Sequence, residues 1–235
     1  MRNMFIFNGR SSEDFGLILS GIGTFASTSR DISSVSVPGR NGDLLIDNGR
    51  YHNVELTYEA AIPRQFRRRF DEFRPFMLSS LGYRRLEDTY HPDEYRMARF
   101  AGNLSPEMVG AAFIAGRFDL VFDCKPQRFL KSGEGPVTFS SPGALYNSGF
   151  EALPLITVFG SGAGTVTVGD VTVTLNSIDD YVVLDCDIQN AYKGTVNKNN
   201  TIYAPEFPTL PPGECPISWT GGVTRIEIVP RWWTL

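Results

Sequence analysis

The sequence predicts a mostly β protein of two domains with a single helix, and three features predict it. Short apolar–polar alternations of period 2 recur along most of the 235 residues. One stretch alone, Pro63 to Leu81, carries its apolar side chains at helical spacing. The charge also changes character near residue 130. Residues 1–130 hold 17 basic and 16 acidic side chains, a net of +1, whereas residues 131–235 hold 5 and 10, a net of −5. Domains over 1–130 and 131–235 are expected, each long enough for its own core.

Composition removes several function classes. Apolar residues at 42% and charged residues at 20% describe a globular chain rather than a disordered one. Seventeen Phe and nine Tyr suit pleated surfaces, where flat rings pack well. Neither half has the basic excess that draws a protein to a phosphate backbone, so no nucleic-acid partner is expected. Cys124, Cys186 and Cys215 are odd in number and far apart, which supports neither a disulfide framework nor a zinc site. They read as reduced thiols made in a cytoplasm. The apolar Met4-Phe5-Ile6-Phe7 is too short for a signal-peptide core, and no run reaches the ~20 residues of a membrane span. No membrane partner is expected.

The elements follow in order. Phe5-Ile6-Phe7 meets the turn dipeptide Asn8-Gly9. Leu17-Ile18-Leu19 ends at Ser20-Gly21-Ile22-Gly23, and Ser34-Val35-Ser36-Val37 alternates as a half-buried strand does. It runs into Pro38-Gly39-Arg40-Asn41-Gly42-Asp43, two turn dipeptides in six residues. Asp47-Asn48-Gly49-Arg50-Tyr51 reads as another turn, and Tyr51 to Tyr58 alternates again with Val54, Leu56 and Tyr58 on one face. From Pro63 to Leu81, Phe66, Phe70, Phe73, Met77 and Leu81 form a helical stripe, with Arg64, Arg67, Arg68, Asp71 and Arg74 opposite. Pro75 predicts a kink or break near Asp71–Arg74, because an interior proline costs about 3 kcal/mol; burying three Phe at roughly 1.5–3 kcal/mol each is enough to hold a kinked helix against a sheet. Tyr95 to Phe100 and Phe113 to Cys124 read as strands of the first domain. The glycine- and proline-bearing Lys131 to Pro136 then reads as the connection. Beyond it, short strands at 155–159, 165–168, 171–175, 181–184, 217–219 and 223–229 are separated by turns, among them Gly160–Gly164 and Asp179-Asp180. That spacing predicts a β-sandwich.

No catalytic constellation emerges. The chain has two histidines. His52 falls in the Tyr51–Tyr58 strand on its outer face. His91 and Glu94 share the spacing of a metal pair, but no third ligand is near, and Pro92 disfavours a ligand helix. No G-x-S-x-G elbow occurs. Gly160-Ser161-Gly162-Ala163-Gly164 lacks the third glycine of a nucleotide loop, and a strand rather than a helix follows, so it reads as a hairpin turn. Asp179, Asp180, Asp185 and Asp187 are oxygen donors of the kind calcium needs, without calcium-loop spacing; solvated loop charge is the commoner reading. No catalytic, cofactor-binding or metal residue is assigned, and no cofactor is expected. Trp219, Trp232 and Trp233 lie in the last seventeen residues. They can fill the sandwich core, with Trp232 alternating after Ile226 and Ile228, or form a sugar-stacking platform or interface anchor; adjacent residues on a strand face opposite ways, so one of Trp232 and Trp233 is the candidate exposed aromatic contact.

The order of motifs resembles the distal tail proteins of long-tailed phages and prophages. Phe5 to Gly9 is followed by Ser12-Glu13-Asp14-Phe15-Gly16-Leu17, Val37 to Asp43, Asp47 to Tyr51 and one Phe-rich helix. Phe118 to Phe129 closes the first domain. Tyr146-Asn147-Ser148-Gly149 and Glu151 to Ile156 open the second, and Phe207 to Glu214 stands near its end. The resemblance spans essentially the whole chain. It implies an N-terminal β domain with one helix that forms a six-fold ring, and a C-terminal galectin-like β-sandwich that projects outward. It also implies a virion-tail protein with the tail tube and a tail-tip protein as partners, able to carry receptor-binding proteins, with no enzymatic role. A ring needs two different complementary patches. Pro38, Gly39, Arg40, Asn41, Gly42 and Asp43 are the candidate for one, an exposed hairpin turn being the ordinary alternative. The rival reading is a carbohydrate-binding module or glycan-processing accessory protein with a jelly-roll domain.

Overall fold

The computed structural model describes residues 3–21, 23, 25–109 and 114–235. The chain divides into two compact units, residues 1–128 with Leu235, and residues 129–234.

In the first unit β1 (Phe5–Phe7) turns into β2 (Arg10–Ser11) through Asn8 and Gly9. Both are left-handed, φ 48° and 79°, as a two-residue hairpin turn requires. A 3-10 turn over Ser12–Phe15 follows, capped reciprocally by Ser11 and Asp14. Next come β3 (Ile18–Ser20), β4 (Arg30–Val35), β5 (Leu44–Tyr51), β6 (Val54–Ile62) and the helix α1 (Phe66–Ser79). β7 (Arg84–Asp88), β8 (Glu94–Phe100), β9 (Glu107–Val109) and β10 (Ala115–Leu130) complete the series. The sheet order is β2-β1-β7-β8-β10-β6-β3, with β9 added on β10. Among the described residues β4 and β5 pair only with each other, as a separate two-stranded ribbon.

Alternation explains the core. Val54, Leu56, Tyr58, Ala60 and Ile62 of β6 are all buried, as are Phe118, Leu120, Phe122 and Cys124 of β10. The two strands are antiparallel neighbours, with Leu120 opposite Tyr58 and Phe122 opposite Leu56. The helix adds Phe66, Phe70, Phe73 and Met77 to the same cluster. Each such burial contributes roughly 1.5–3 kcal/mol. That is enough to carry α1 through Pro75, which withholds the N–H that Asp71's carbonyl would accept.

Several expectations change. The helix is continuous across Asp71–Arg74 rather than broken there, and it stops at Ser79. Ser80 is extended and Gly82 left-handed, so Leu81 leaves the stripe and is exposed. Tyr51 ends β5, and a break at residues 52–53 separates it from β6, so His52 lies between strands. The presumed turn at Asp47–Tyr51 is inside β5, where left-handed Gly49 accompanies a shifted register with β4. Strand β10 runs past Cys124 to Leu130. Phe113 and Ile22, parts of two expected segments, lie outside the described residues.

The second unit comprises β11 (Val137–Phe139), β12 (Gly143–Asn147), β13 (Leu155–Val168), β14 (Val171–Asp185), β15 (Asn190–Lys193), β16 (Val196–Asn197), β17 (Ile202–Tyr203), β18 (Gly213–Val229) and β19 (Trp233–Thr234). Its main sheet runs β11-β18-β13-β14-β15-β16, with β12 on β18 and β17 on β14. The short strands expected here merge into three long ones. Gly160–Gly164 is not a hairpin turn: it lies within β13, where the register against β14 and β18 shifts. A Cβ at Gly222 would fall 1.8 Å from the carbonyl oxygen of Ser161, so only glycine allows that crossing. Asp179-Asp180 likewise sits within β14, with Asp180 left-handed at φ 67°. Bent strands let one curled sheet enclose its own core of Ile156, Val158, Val173, Leu184, Ile226 and Ile228. The fold is thus mostly β, in two units with one helix, as its sequence predicts.

Candidate assembly surface

The β4–β5 ribbon is the feature the core does not explain. Ile32, Val35, Leu44, Leu45 and Ile46 are 41–66% exposed, although they stand on paired strands. Register puts Val35 opposite Leu44 and Ser33 opposite Ile46 on one face, and Ser34 opposite Leu45 and Ile32 opposite Asp47 on the other. Both faces are therefore partly apolar, and neither packs on the first core. A lone two-stranded hairpin is marginal in water. Polar cross-links hold this one. Arg30 reaches Asp47 at 2.7 Å, and Arg50 reaches Asp31 at 2.6 Å. Asn48 donates to Asp31 and to Ser33 Oγ. The Asn48 and Arg50 bonds hold the Asp31 carboxyl below its usual range. The frame is polar; the apolar side chains are left outward.

Pro38, Gly39, Arg40, Asn41, Gly42 and Asp43 form the tip of this ribbon, all exposed. Arg40 N–H donates to Val37 C=O at 3.1 Å, and Gly39 has φ 81°, a type II turn with proline and glycine in their preferred places. Ser34 Oγ donates to Asp43 at 2.6 Å and ties the tip to β4. Turn composition marks the tip, and the apolar shaft below it is marked only by its run of large side chains. Its signal was there: Leu44-Leu45-Ile46 is a run of three on a strand, and such a run cannot face one core.

Trp232 and Trp233 are half-buried rather than exposed, and both pack on the second core. The last residues lie back along the start of their unit, which covers both rings. Arg231 N–H donates to Gly133 C=O, Leu130 N–H to Trp232 C=O, and Phe150 N–H to Trp233 C=O. Trp233 Nε1 donates to Glu151 C=O at 2.9 Å, and its ring stacks on Phe150 at 4.8 Å. Trp219 packs on the same core.

The tail is anchored by Arg231, which forks onto Asp185 at 2.7 and 3.2 Å. Burial raises the Asp185 pKa, but the Arg231 bond and charge and the Asp187 and Ile188 N–H groups outweigh it, so the carboxyl is held below its usual range. A depressed carboxyl contributes stability that is present above the unfolded value, about 3.9, and lost as pH falls through the folded one. Asp185→Asn is therefore expected to flatten the acid-side loss of stability of the second unit. Tryptophan fluorescence melts across the acid range check it, because all three tryptophans lie in that unit; an unchanged acid profile would contradict the assignment.

The other sequence candidates are not brought together. Asp179 and Asp180 share Lys193, at 3.4 and 4.0 Å, while Asp185 is engaged by Arg231. His91 Nδ1 lies 3.1 Å from Asp88, and Glu94 turns to Arg128 instead. His52 Nε2 is 3.8 Å from Asp31 at the base of the ribbon. Among the described residues no group of three or more His, Cys, Asp or Glu is placed to hold a metal. Burial pushes the Cys124 and Cys186 thiols up to about 12, so neither is a ready nucleophile. No helix among the described residues is long and apolar enough to cross a membrane.

These features define a class: a two-unit, mostly β protein with an outward apolar ribbon. No family model matches the chain, and no curated protein sequence does. Solved structures do match. One is a crystal structure of SPP1 Dit (gp 19.1), described as a paradigm of the hub adsorption apparatus in phages that infect Gram-positive bacteria. It superposes with a TM-score of 0.75 over 100% of both chains at 13% identity. The chain has the fold of that distal tail protein.

Proposed function

We propose that this protein is a structural component of a bacteriophage or prophage tail, a distal tail protein that forms a hexameric ring. In this reading the ring joins the tail tube to the tail-tip protein on the host side, and it can carry receptor-binding proteins. It has no catalytic role. The observation that carries the reading is the apolar β4–β5 ribbon, attached to a fold shared along its whole length with a tail hub protein. Exposed apolar residues on a ribbon without a core of its own suit a neighbour's surface. A cyclic ring needs a patch of this kind that meets a different patch on the next copy.

Sedimentation velocity across a wide concentration range tests the reading. A hexamer, or a stacked pair of hexamers, is the expected mass. A strictly monomeric particle that binds sugar tightly would instead establish the rival, a carbohydrate-binding module.

A further inference from the structure

The sequence contains Asn-Gly three times, at Asn8-Gly9, Asn41-Gly42 and Asn48-Gly49. Asparagine is a thermolabile residue, and before glycine it modifies itself. The backbone nitrogen of the glycine loses its proton and attacks the side-chain carbonyl carbon of the asparagine. The five-membered imide that forms expels the side-chain nitrogen as ammonia. Water then opens the imide at either carbonyl, which leaves aspartate or isoaspartate. Glycine permits the attack because it has no Cβ to crowd it and its backbone turns freely. Closure also needs an unheld asparagine side chain, an unbonded glycine N–H and a backbone able to bring the two together.

The fold separates the three copies. Asn8 and Gly9 are both left-handed inside the tight turn between β1 and β2, and Asn8 N–H donates to Arg85 C=O at 3.0 Å. Pairing of β1 with β2 on one side and β7 on the other fixes the backbone that would have to rotate. Asn48 lies inside β5. Its side-chain nitrogen donates to Asp31 at 2.9 Å and to Ser33 Oγ at 3.0 Å, and Gly49 N–H donates to Asp47 Oδ1 at 2.9 Å. Both of its reacting groups are held. Asn41 and Gly42 lie outside any strand at the tip of the ribbon, and both are exposed. Neither the Asn41 side chain nor the Gly42 N–H makes a hydrogen bond among the described residues. A Cβ built on Gly42 would meet nothing within 4 Å, so the approach is open.

We propose that Asn41-Gly42 is a self-modification site through which a chain left unassembled loses its competence for the ring. The tip residues Pro38 to Asp43 carry one cation, Arg40, and one carboxylate, Asp43, a net of 0; conversion of Asn41 makes that −1. Isoaspartate also inserts one extra carbon into the backbone two residues before Asp43, whose bond from Ser34 Oγ ties the tip to β4. A charge-changing modification acts through such local electrostatics and packing. The site stands on the geometry of the tip alone, and its effect on assembly rests on the ring reading above.

Ageing of the full wild-type chain tests both parts. The chain is kept in warm, mildly alkaline buffer, where the amide nitrogen ionises, once dilute and once at a concentration at which it assembles. A dilute control is kept at mildly acidic pH. Peptide mass spectrometry with fragmentation locates each exchange of NH2 for OH, and sedimentation velocity after reconcentration reads assembly. The dilute alkaline chain is expected to convert Asn41 at least tenfold faster than Asn8 or Asn48, and the assembled chain to convert it at least threefold more slowly. The converted fraction, isolated by anion exchange, is expected to need at least a threefold higher concentration to half-assemble, while the acidic control keeps both its asparagine and its assembly. An Asn41 that survives, or converts no faster than the other two, overturns the site. Equal conversion in ring and free chain overturns the restriction to unassembled chains, and a converted chain that assembles like the fresh one overturns the loss of competence. A wild type that stays monomeric throughout overturns the ring reading, and the loss of competence with it, while the mass map still decides the site.

Discussion

Leu45→Glu combined with Ile46→Lys yields a folded but unassembled protein. The two side chains are 66% and 47% exposed and point to opposite faces of the ribbon, so together the charges spoil both. Burying each against a neighbour is worth roughly 1.5–3 kcal/mol. In the proposed ring, losing both therefore weakens each subunit contact by about two to four orders of magnitude. The opposite charges leave the net charge unchanged, which keeps solubility out of the comparison. Neither residue belongs to a core, so circular dichroism and melting temperature stay at wild-type values while the sedimenting mass falls to a monomer. Arg40→Glu at the tip acts in the same direction and less strongly. A double variant that still sediments as a hexamer removes the ribbon from the interface.

Phe122→Ala unfolds the first unit at a much lower temperature and spares the second. Phe122 is fully buried and lies in contact with Phe5, Phe7, Tyr58 and Phe100, at centroid distances of 5.1–5.9 Å and edge-on in each case. Truncating such a ring costs about 3–5 kcal/mol in lost transfer energy and unfilled cavity. For a unit of this size that lowers the melting temperature by roughly 10–20 °C. Far-UV circular dichroism should separate into two steps, with the earlier one silent in tryptophan fluorescence. A single transition that both signals follow together would contradict the independent cores.

Much of the fold was legible because its signals are local. The alternation Val54, Leu56, Tyr58 sets which face of β6 enters the core, whatever lies opposite. Asn8-Gly9 specifies its hairpin, and the Phe66-Phe70-Phe73-Met77 spacing specifies a helical face. Pro75 left a kinked helix or a break open, and the helix runs unbroken because propensity is a small term. A penalty of about 3 kcal/mol is outweighed when three phenylalanines are buried on the same helix. Gly160–Gly164 misled for a related reason. Glycine permits a turn and a bulge equally, and only the strands on either side decide which one forms.

The candidate surface was half legible. Pro38 to Asp43 reads as a turn on composition alone, and it is one. That the ribbon beneath it has no core to join depends on where the other strands go, and no local pattern records that. Trp232 and Trp233 show the same limit. Strand alternation predicts that one of two neighbours faces outward, but the backbone bonds to Gly133, Leu130 and Phe150 lay the tail along its own unit and half-bury both rings.

By itself, then, the sequence determined the fold class, the single helix and the inward face of the main strands. These depend on residue type and on spacings of a few positions. Only the tertiary structure decided which short strands fuse into long bent ones and which apolar side chains stay outside a core. Each of those is a question of which distant segments meet, and burial and charge pairing are settled by that meeting rather than by neighbours along the chain.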